Sequence, residues 1–170
     1  MSVITYENNP HSALAHYIDR TLWFSITLSI LIFGVSFFNL GSLSLLIAPL
    51  LALVTIVQHA ILLSHVNGDR KRPAASIAGT LAHTARKPAI VFLWVLVALW
   101  IIVVVLVTST SFVVKVKGRQ EWWQKHLGHV ELGLEALEVV VVLVAAVKCG
   151  VQRRRTIIEP DHVDWEHLGA

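Results

Sequence analysis

Residues 21–68 read TLWFSITLSILIFGVSFFNLGSLSLLIAPLLALVTIVQHAILLSHVNG, and none of these 48 positions is Asp, Glu, Lys or Arg. A helix crosses a hydrocarbon core of about 30 Å with roughly 20 residues, so the stretch is long enough for two spans. Asn39-Leu40-Gly41-Ser42 brings together residues that turn a chain or cap a following helix. The expected spans are therefore Thr21–Phe38 and Leu43–Ser64, joined as a tight hairpin.

Working outward, a second uncharged run extends from Pro88 to Val114. Its proline suits a first helical turn, and Thr108-Ser109-Thr110-Ser111 is expected to close it, which gives a span over residues 88–111. The fourth span is less apolar. Leu132–Val147 contains Glu135 and Glu138, but Val139–Val147 is wholly apolar, and a helix over residues 131–150 reaches the required length of about 20. Lipid offers the backbone no partner outside a helix or a closed barrel, and four long unalternating runs exclude the barrel. The expected fold is an all-α, integral-membrane four-helix bundle. It divides into an N-terminal segment 1–20, a membrane domain 21–152 and a tail 153–170.

Composition agrees with this division. Of the 170 residues 55% are hydrophobic and 15% charged, against roughly a quarter charged in soluble domains, which excludes a soluble globular protein. A single cysteine excludes a disulfide framework and any thiolate-based metal or Fe–S site. The net charge of +3 is not interleaved with the stacking aromatics that single-strand binding needs, so no nucleic-acid partner is expected. The first span follows one cation, has a long apolar core and lacks a small-x-small cleavage site, so it reads as retained.

Orientation follows from the cations, because Lys and Arg near span ends stay cytoplasmic. With four spans, Arg20, Arg70, Lys71, Arg72, Arg86, Lys87, Lys148, Arg153, Arg154 and Arg155 share one side, ten in all, against Lys115, Lys117, Arg119 and Lys125 on the other. Both termini are then cytoplasmic.

Polar side chains at membrane depth are functional candidates by default. At 100° per residue Glu131, Glu135 and Glu138 fall within about 60° of arc, and their stripe continues through Val142, Ala145, Ala146 and Cys149. Small residues and carboxyls both prefer a neighbouring helix to lipid, so this is the inward face. Pro49 cannot donate a hydrogen bond, which frees the Leu45 carbonyl for a protonated Glu135 or Glu138. Two readings stand: a proton or cation relay through these carboxyls, or interhelical glue. Ser25, Ser29 and Ser36 share one face of the first span. Ser25, Ser29, His59 and Trp94 are expected about 6–12 Å inside the cytoplasmic end, where they can satisfy one another, with Gln58 beside them. His59 alone among the histidines lies well inside a span, so a haem ligand pair is not expected. His126-x-x-His129 presents two nitrogens on one helical face, a poor basis for a metal site, and Trp122-Trp123 suits an interfacial anchor. No cofactor is expected.

Outside the spans, Arg70-Lys71-Arg72 precedes residues 74–86, readable as a weak amphipathic helix on anionic lipid or as topology signal alone. Arg153-Arg154-Arg155 has the same two readings and also suits an arginine-based endoplasmic-reticulum sorting signal. Cys149 is placed either for S-palmitoylation or as a buried core thiol.

No paired thiols, Gly-rich phosphate loop or nucleophile with an adjacent base appears, so an enzyme is not expected. The layout of residues 20–152, with four spans, both termini cytoplasmic, a very short first turn and short exposed loops, resembles the small tetraspan proteins of the MARVEL type. That resemblance implies membrane organisation, trafficking or lateral assembly without catalysis, with lipids and homo- or hetero-oligomeric partners, in an endomembrane or the plasma membrane. Two other classes stay open: a proton-coupled transporter or channel subunit using Glu135 and Glu138, and an endoplasmic-reticulum assembly or sorting factor.

Overall fold

The computed structural model describes residues 5–6, 8–38, 46–77, 79–116 and 122–158. The expected turn at 39–42 and the tail from 159 onward lie outside the described residues. Four long helices make up the structure: α1 (Ala13–Phe38), α2 (Ile47–Arg70), α4 (Lys87–Val116) and α5 (Trp122–Thr156), with a four-residue α3 (Ala74–Ile77) between α2 and α4. By length and composition α1, α2 and α4 can each cross a membrane. At 35 residues α5 is long enough, but its charged positions keep it outside that class.

Several helix ends lie beyond the expected spans, each for a local reason. The Ser12 hydroxyl accepts a hydrogen bond from the Ala15 N–H at 3.2 Å, so α1 starts at this cap, eight residues before Thr21. Leu46 precedes α2 with φ 64 and ψ 2, a left-handed conformation, and α2 then continues to Arg70, three residues before Pro73. Because α2 begins at Ile47, Pro49 sits in its first turn, where its missing donor costs nothing. The expected release of a carbonyl at Leu45 falls outside the described residues. At the end of the third span Thr108, Ser109 and Thr110 do not stop the helix. Their hydroxyls donate back to the carbonyls of Val104, Val105 and Leu106 at 2.7–2.9 Å, the i−4 pattern of a hydroxyl within a helix, and α4 runs on to Val116.

In cross-section α1 packs against α2 on one side and α5 on the other, α5 packs against α4, and α2 and α4 meet much less extensively. The core between them includes Leu22, Ile32, Ala52, Leu96, Trp100, Val142, Ala145 and Ala146, all fully buried. The outward faces are apolar as well: Phe24, Leu31, Leu50, Val57, Val91, Ile102 and Val140 are exposed. A soluble monomer rarely shows so much contiguous apolar surface.

Both terminal segments meet at one end. β1 (Thr5–Tyr6) pairs antiparallel with β2 (Ile157–Ile158), Thr5 opposite Ile158 and Tyr6 opposite Ile157, and Lys148 Nζ stands 5.4 Å from the centroid of the Tyr17 ring. The α2–α4 connection closes the same end. Of residues 74–86, readable as a weak amphipathic helix or as topology signal alone, Ala74–Ile77 is α-helical, and a 3-10 turn at His83–Ala85 tucks Thr84 and Ala85 into the bundle. There Thr84 Oγ1 donates to Gln152 Oε1 at 2.6 Å and Arg153 donates to the Ala85 carbonyl at 3.1 Å.

Where helices associate without a hydrophobic driving force, small residues set how closely backbones approach. Ala145→Leu, inside the bundle, is therefore expected to destabilise by ~1–3 kcal/mol through overpacking. Val144→Leu, on the outward face, should leave the unfolding midpoint in detergent unchanged.

Candidate functional site

The polar interior is built mainly by α1 and α5. Glu131, Glu135 and Glu138 all lie fully buried on one face of α5, continuous with Val142, Ala145, Ala146 and Cys149. Facing them, α1 presents Ser25, Ser29 and Ser36, equally buried. Ser25 Oγ and Ser29 Oγ both donate to Glu138 Oε1, at 2.5 and 3.0 Å, and Ser36 Oγ donates to Glu131 Oε1 at 2.7 Å. The antiparallel register in which Ser29 meets Glu138 and Ser36 meets Glu131 sets Glu135 level with Ile32, where α1 offers no hydroxyl. Both Glu135 carboxyl oxygens, and Glu138 Oε2, have no hydrogen-bond partner among the described residues.

The Leu45 carbonyl expected as a partner of Glu135 or Glu138 lies outside the described residues. The pairing does correct one expectation: Ser25 and Ser29 are committed to Glu138 and do not satisfy His59, whose Nδ1 and Nε2 are both buried without a partner among the described residues. The ion pair between Asp19 and Arg70 fixes the α1–α2 register and places His59 near the level of Ser29. His59 and Glu138 therefore occupy similar depth on helices that are diagonal in the bundle.

The indole inside the bundle was also misplaced by sequence reading. Trp94 is exposed and Trp100 is fully buried, its Nε1 donating to Thr55 Oγ1 at 3.1 Å across the α2–α4 seam. Trp100 shares a helical face with Leu93, Leu96, Val103 and Val107, a periodicity present in the sequence, but every other face of α4 is equally apolar and nothing marked this one. Gln58 is half-buried and borders an apolar groove with Val54, Val57 and Phe92, away from the α1–α5 ladder.

At the terminal end a second set of polar groups is mostly paired. Arg70 bonds Asp19 and donates to the Pro10 carbonyl at 3.3 Å. Asp69 accepts from His83 Nδ1 at 2.9 Å and has Arg72 at 3.8 Å, and the His83 ring stacks on His65 at 4.5 Å between centroids. Lys71 stays exposed with no ion pair among the described residues. Of the arginine triplet, Arg153 is tied to Ala85 while Arg154 and Arg155 are exposed in the last turn of α5. Cys149 is fully enclosed among the core residues. His126 and His129 are exposed on α5, and no group of three or more His, Cys, Asp or Glu able to hold a metal ion occurs among the described residues.

No protein-family model, curated protein or solved structure matches the chain.

The ladder predicts an ordering of variants. Glu138→Leu strands two serine hydroxyls and is expected to cost about 1 kcal/mol, the usual scale of an interhelical hydrogen bond in a membrane protein, whereas Glu138→Gln keeps an acceptor and should lie close to wild type. His59→Leu removes two unpartnered nitrogens and should leave the midpoint unchanged or raise it. Unfolding midpoints measured in one detergent check the order, and a His59→Leu loss as large as that of Glu138→Leu would contradict it.

Proposed function

We propose that this chain is a non-enzymatic, four-span integral membrane protein with both termini cytoplasmic, acting in membrane organisation, trafficking or lateral assembly in the manner of MARVEL-like tetraspan proteins. The observation that carries this reading is the distribution of polarity across the bundle. Apolar side chains of α1, α2, α4 and α5 point outward, while the serine–glutamate ladder lies inside. That is the arrangement a lipid solvent demands, since polar groups at membrane depth must find partners within the bundle.

In this reading α5 crosses with its carboxyls turned toward α1, so its charge does not prevent insertion. The antiparallel pairing of β1 with β2 supports an even number of crossings, because it brings residues 5–6 and 157–158 to one end. That end holds Arg20, Arg70, Lys71, Arg72, Arg153, Arg154 and Arg155, and the cation bias of the loops assigns it to the cytoplasm. Lateral association with lipids and with other membrane proteins is then what the exposed apolar faces do.

A second reading, a proton-coupled transporter or channel subunit, is favoured by one observation. Among the described residues Glu135 carries two unpartnered oxygens in the interior and His59 two unpartnered nitrogens, more than glue requires. Against it, Val139–Val147 offers no further acceptor on α5 toward the cytoplasm.

Tags at residues 1 and 170 are both expected to resist protease added outside intact cells, while a tag inserted near Gly118 is cut. Opposite accessibility of the terminal tags removes α5 from the membrane. In reconstituted vesicles Glu138→Gln is expected to leave proton permeability at the wild-type level. A proton flux present in wild type and lost in this variant, with the bundle still folded, would establish the second reading in place of the first.

A further inference from the structure

We propose that the seam between α1 and α2 at the cytoplasmic end binds one anionic phospholipid, with its phosphate at Lys71 and an acyl chain in the groove beyond. The inference rests on the reading that these helices cross a membrane. The groove has a volume of about 510 Å³, within the range of ~300–1,000 Å³ typical of small-molecule sites. Trp23 and Ile26 of α1 line it, with Ala60 and Leu63 of α2 at its deeper end and Ser64, Asn67, Gly68 and Lys71 toward its mouth. The lining therefore turns from apolar to polar to cationic along one helix face, in the order of acyl chain, ester region and phosphate.

The seam stays open because Ala60, Ser64 and Gly68 recur every fourth residue and none has a side chain long enough to close it. The charge at its mouth comes from Lys71. Of the three consecutive cations, Arg70 is held by Asp19 and Arg72 faces Asp69, while Lys71 is exposed and without an ion pair among the described residues. Arg20, one turn before Trp23 on α1, is likewise exposed and without one. A zwitterionic lipid leaves these two cations without net compensation. A second copy docked here about a two-fold axis along the membrane normal sets Lys71 against Lys71 at one depth, a like-charge pair. An anionic phospholipid fills the groove and sets its net negative charge against Lys71.

The test uses the full chain in nanodiscs of phosphatidylcholine with a minor fraction of phosphatidylglycerol, with retained lipid read by native mass spectrometry. Phosphatidylglycerol is expected as an enriched one-to-one adduct. Lys71→Gln is expected to reduce it about fivefold, the equivalent of ~1 kcal/mol. Gly68→Leu, where an added Cβ meets nothing within 4 Å, fills the mouth and should abolish it with helix content unchanged. Equal retention of both lipids by wild type overturns the proposal, as does an adduct undiminished in both variants. Displacement of the adduct by inorganic phosphate would identify a simple anion site, and a dimer lost in Gly68→Leu would identify a second copy as the occupant; either result also overturns it. Carbonate extraction of the same membranes separates the two levels: a chain released by carbonate sinks the membrane reading, whereas a chain retained but without lipid preference sinks this site alone.

Discussion

The bonds from the α1 serines to the α5 carboxyls are the constraint on which the bundle depends. A carboxyl in a buried interior needs donors, and those donors must come from a neighbouring helix because the backbone N–H groups of its own helix are already paired. Once Glu138 is bound by Ser25 and Ser29 and Glu131 by Ser36, the antiparallel register of α1 and α5 is set. The inward faces of both helices are set with it. Apolar packing alone specifies register loosely between helices whose surfaces are uniformly aliphatic, and α4 and much of α2 are of that kind. The ladder turns the stripe of Val142, Ala145, Ala146 and Cys149 to the interior, where all four are fully buried, and leaves Val140, Val144 and Val147 on the outward face.

The closure at the terminal end follows from the same arrangement. With α1 and α5 in register, the N-terminal segment and the end of α5 lie side by side, which permits the short pairing of Thr5–Tyr6 with Ile157–Ile158. The α2–α4 connection then has a polar surface to dock on. Gln152 accepts from Thr84, Arg153 reaches the Ala85 carbonyl, and Asp69 receives His83. The first two bonds join α5 to the 3-10 turn and the third joins α2 to it, so this end is cross-linked where the middle of the α2–α4 seam has the Trp100–Thr55 bond.

What could be read from the sequence divides along the same line. The four helices, the inward stripe of α5 and the serine face of α1 were legible because charge is scarce in this chain and each polar residue in a long apolar run marks a face. The pairing between those two faces was not legible, since one sequence gives the direction in which a side chain points but not the helix that lies opposite. Depth alone groups Ser25 and Ser29 with His59, whereas the helix that lies opposite them brings Glu138. The face of α4 was hidden altogether, because an apolar helix with no polar residue in its middle gives no phase, and depth alone selected Trp94 in place of Trp100. The helix ends were misjudged wherever a hydroxyl or a proline had two roles. Ser12 caps α1 beyond the apolar run, Thr108 to Thr110 bond backward and prolong α4, and Pro49 begins α2 without interrupting it.

Glu135 and His59 separate stability from purpose in this fold. Glu131 and Glu138 have serine donors and so add to the association of α1 with α5. Glu135, one turn from each, faces Ile32, and a buried polar group without a partner costs about 1–3 kcal/mol. His59 adds two further unpartnered nitrogens on the opposite helix. An apolar residue of similar volume at either position would give a bundle at least as stable, so packing does not account for them. Lateral organisation of a membrane needs only the outer surface and the ladder, and is indifferent to both residues. Transport would need them, together with a path beyond Glu138, and on α5 that path meets nine consecutive apolar residues from Val139 to Val147. Any continuation must leave α5 and cross the bundle toward α2, where His59 stands at nearly the depth of Glu138. His59 is therefore the residue on which a transport function of this bundle would turn, and with Glu135 one of the two that an organising function leaves unexplained.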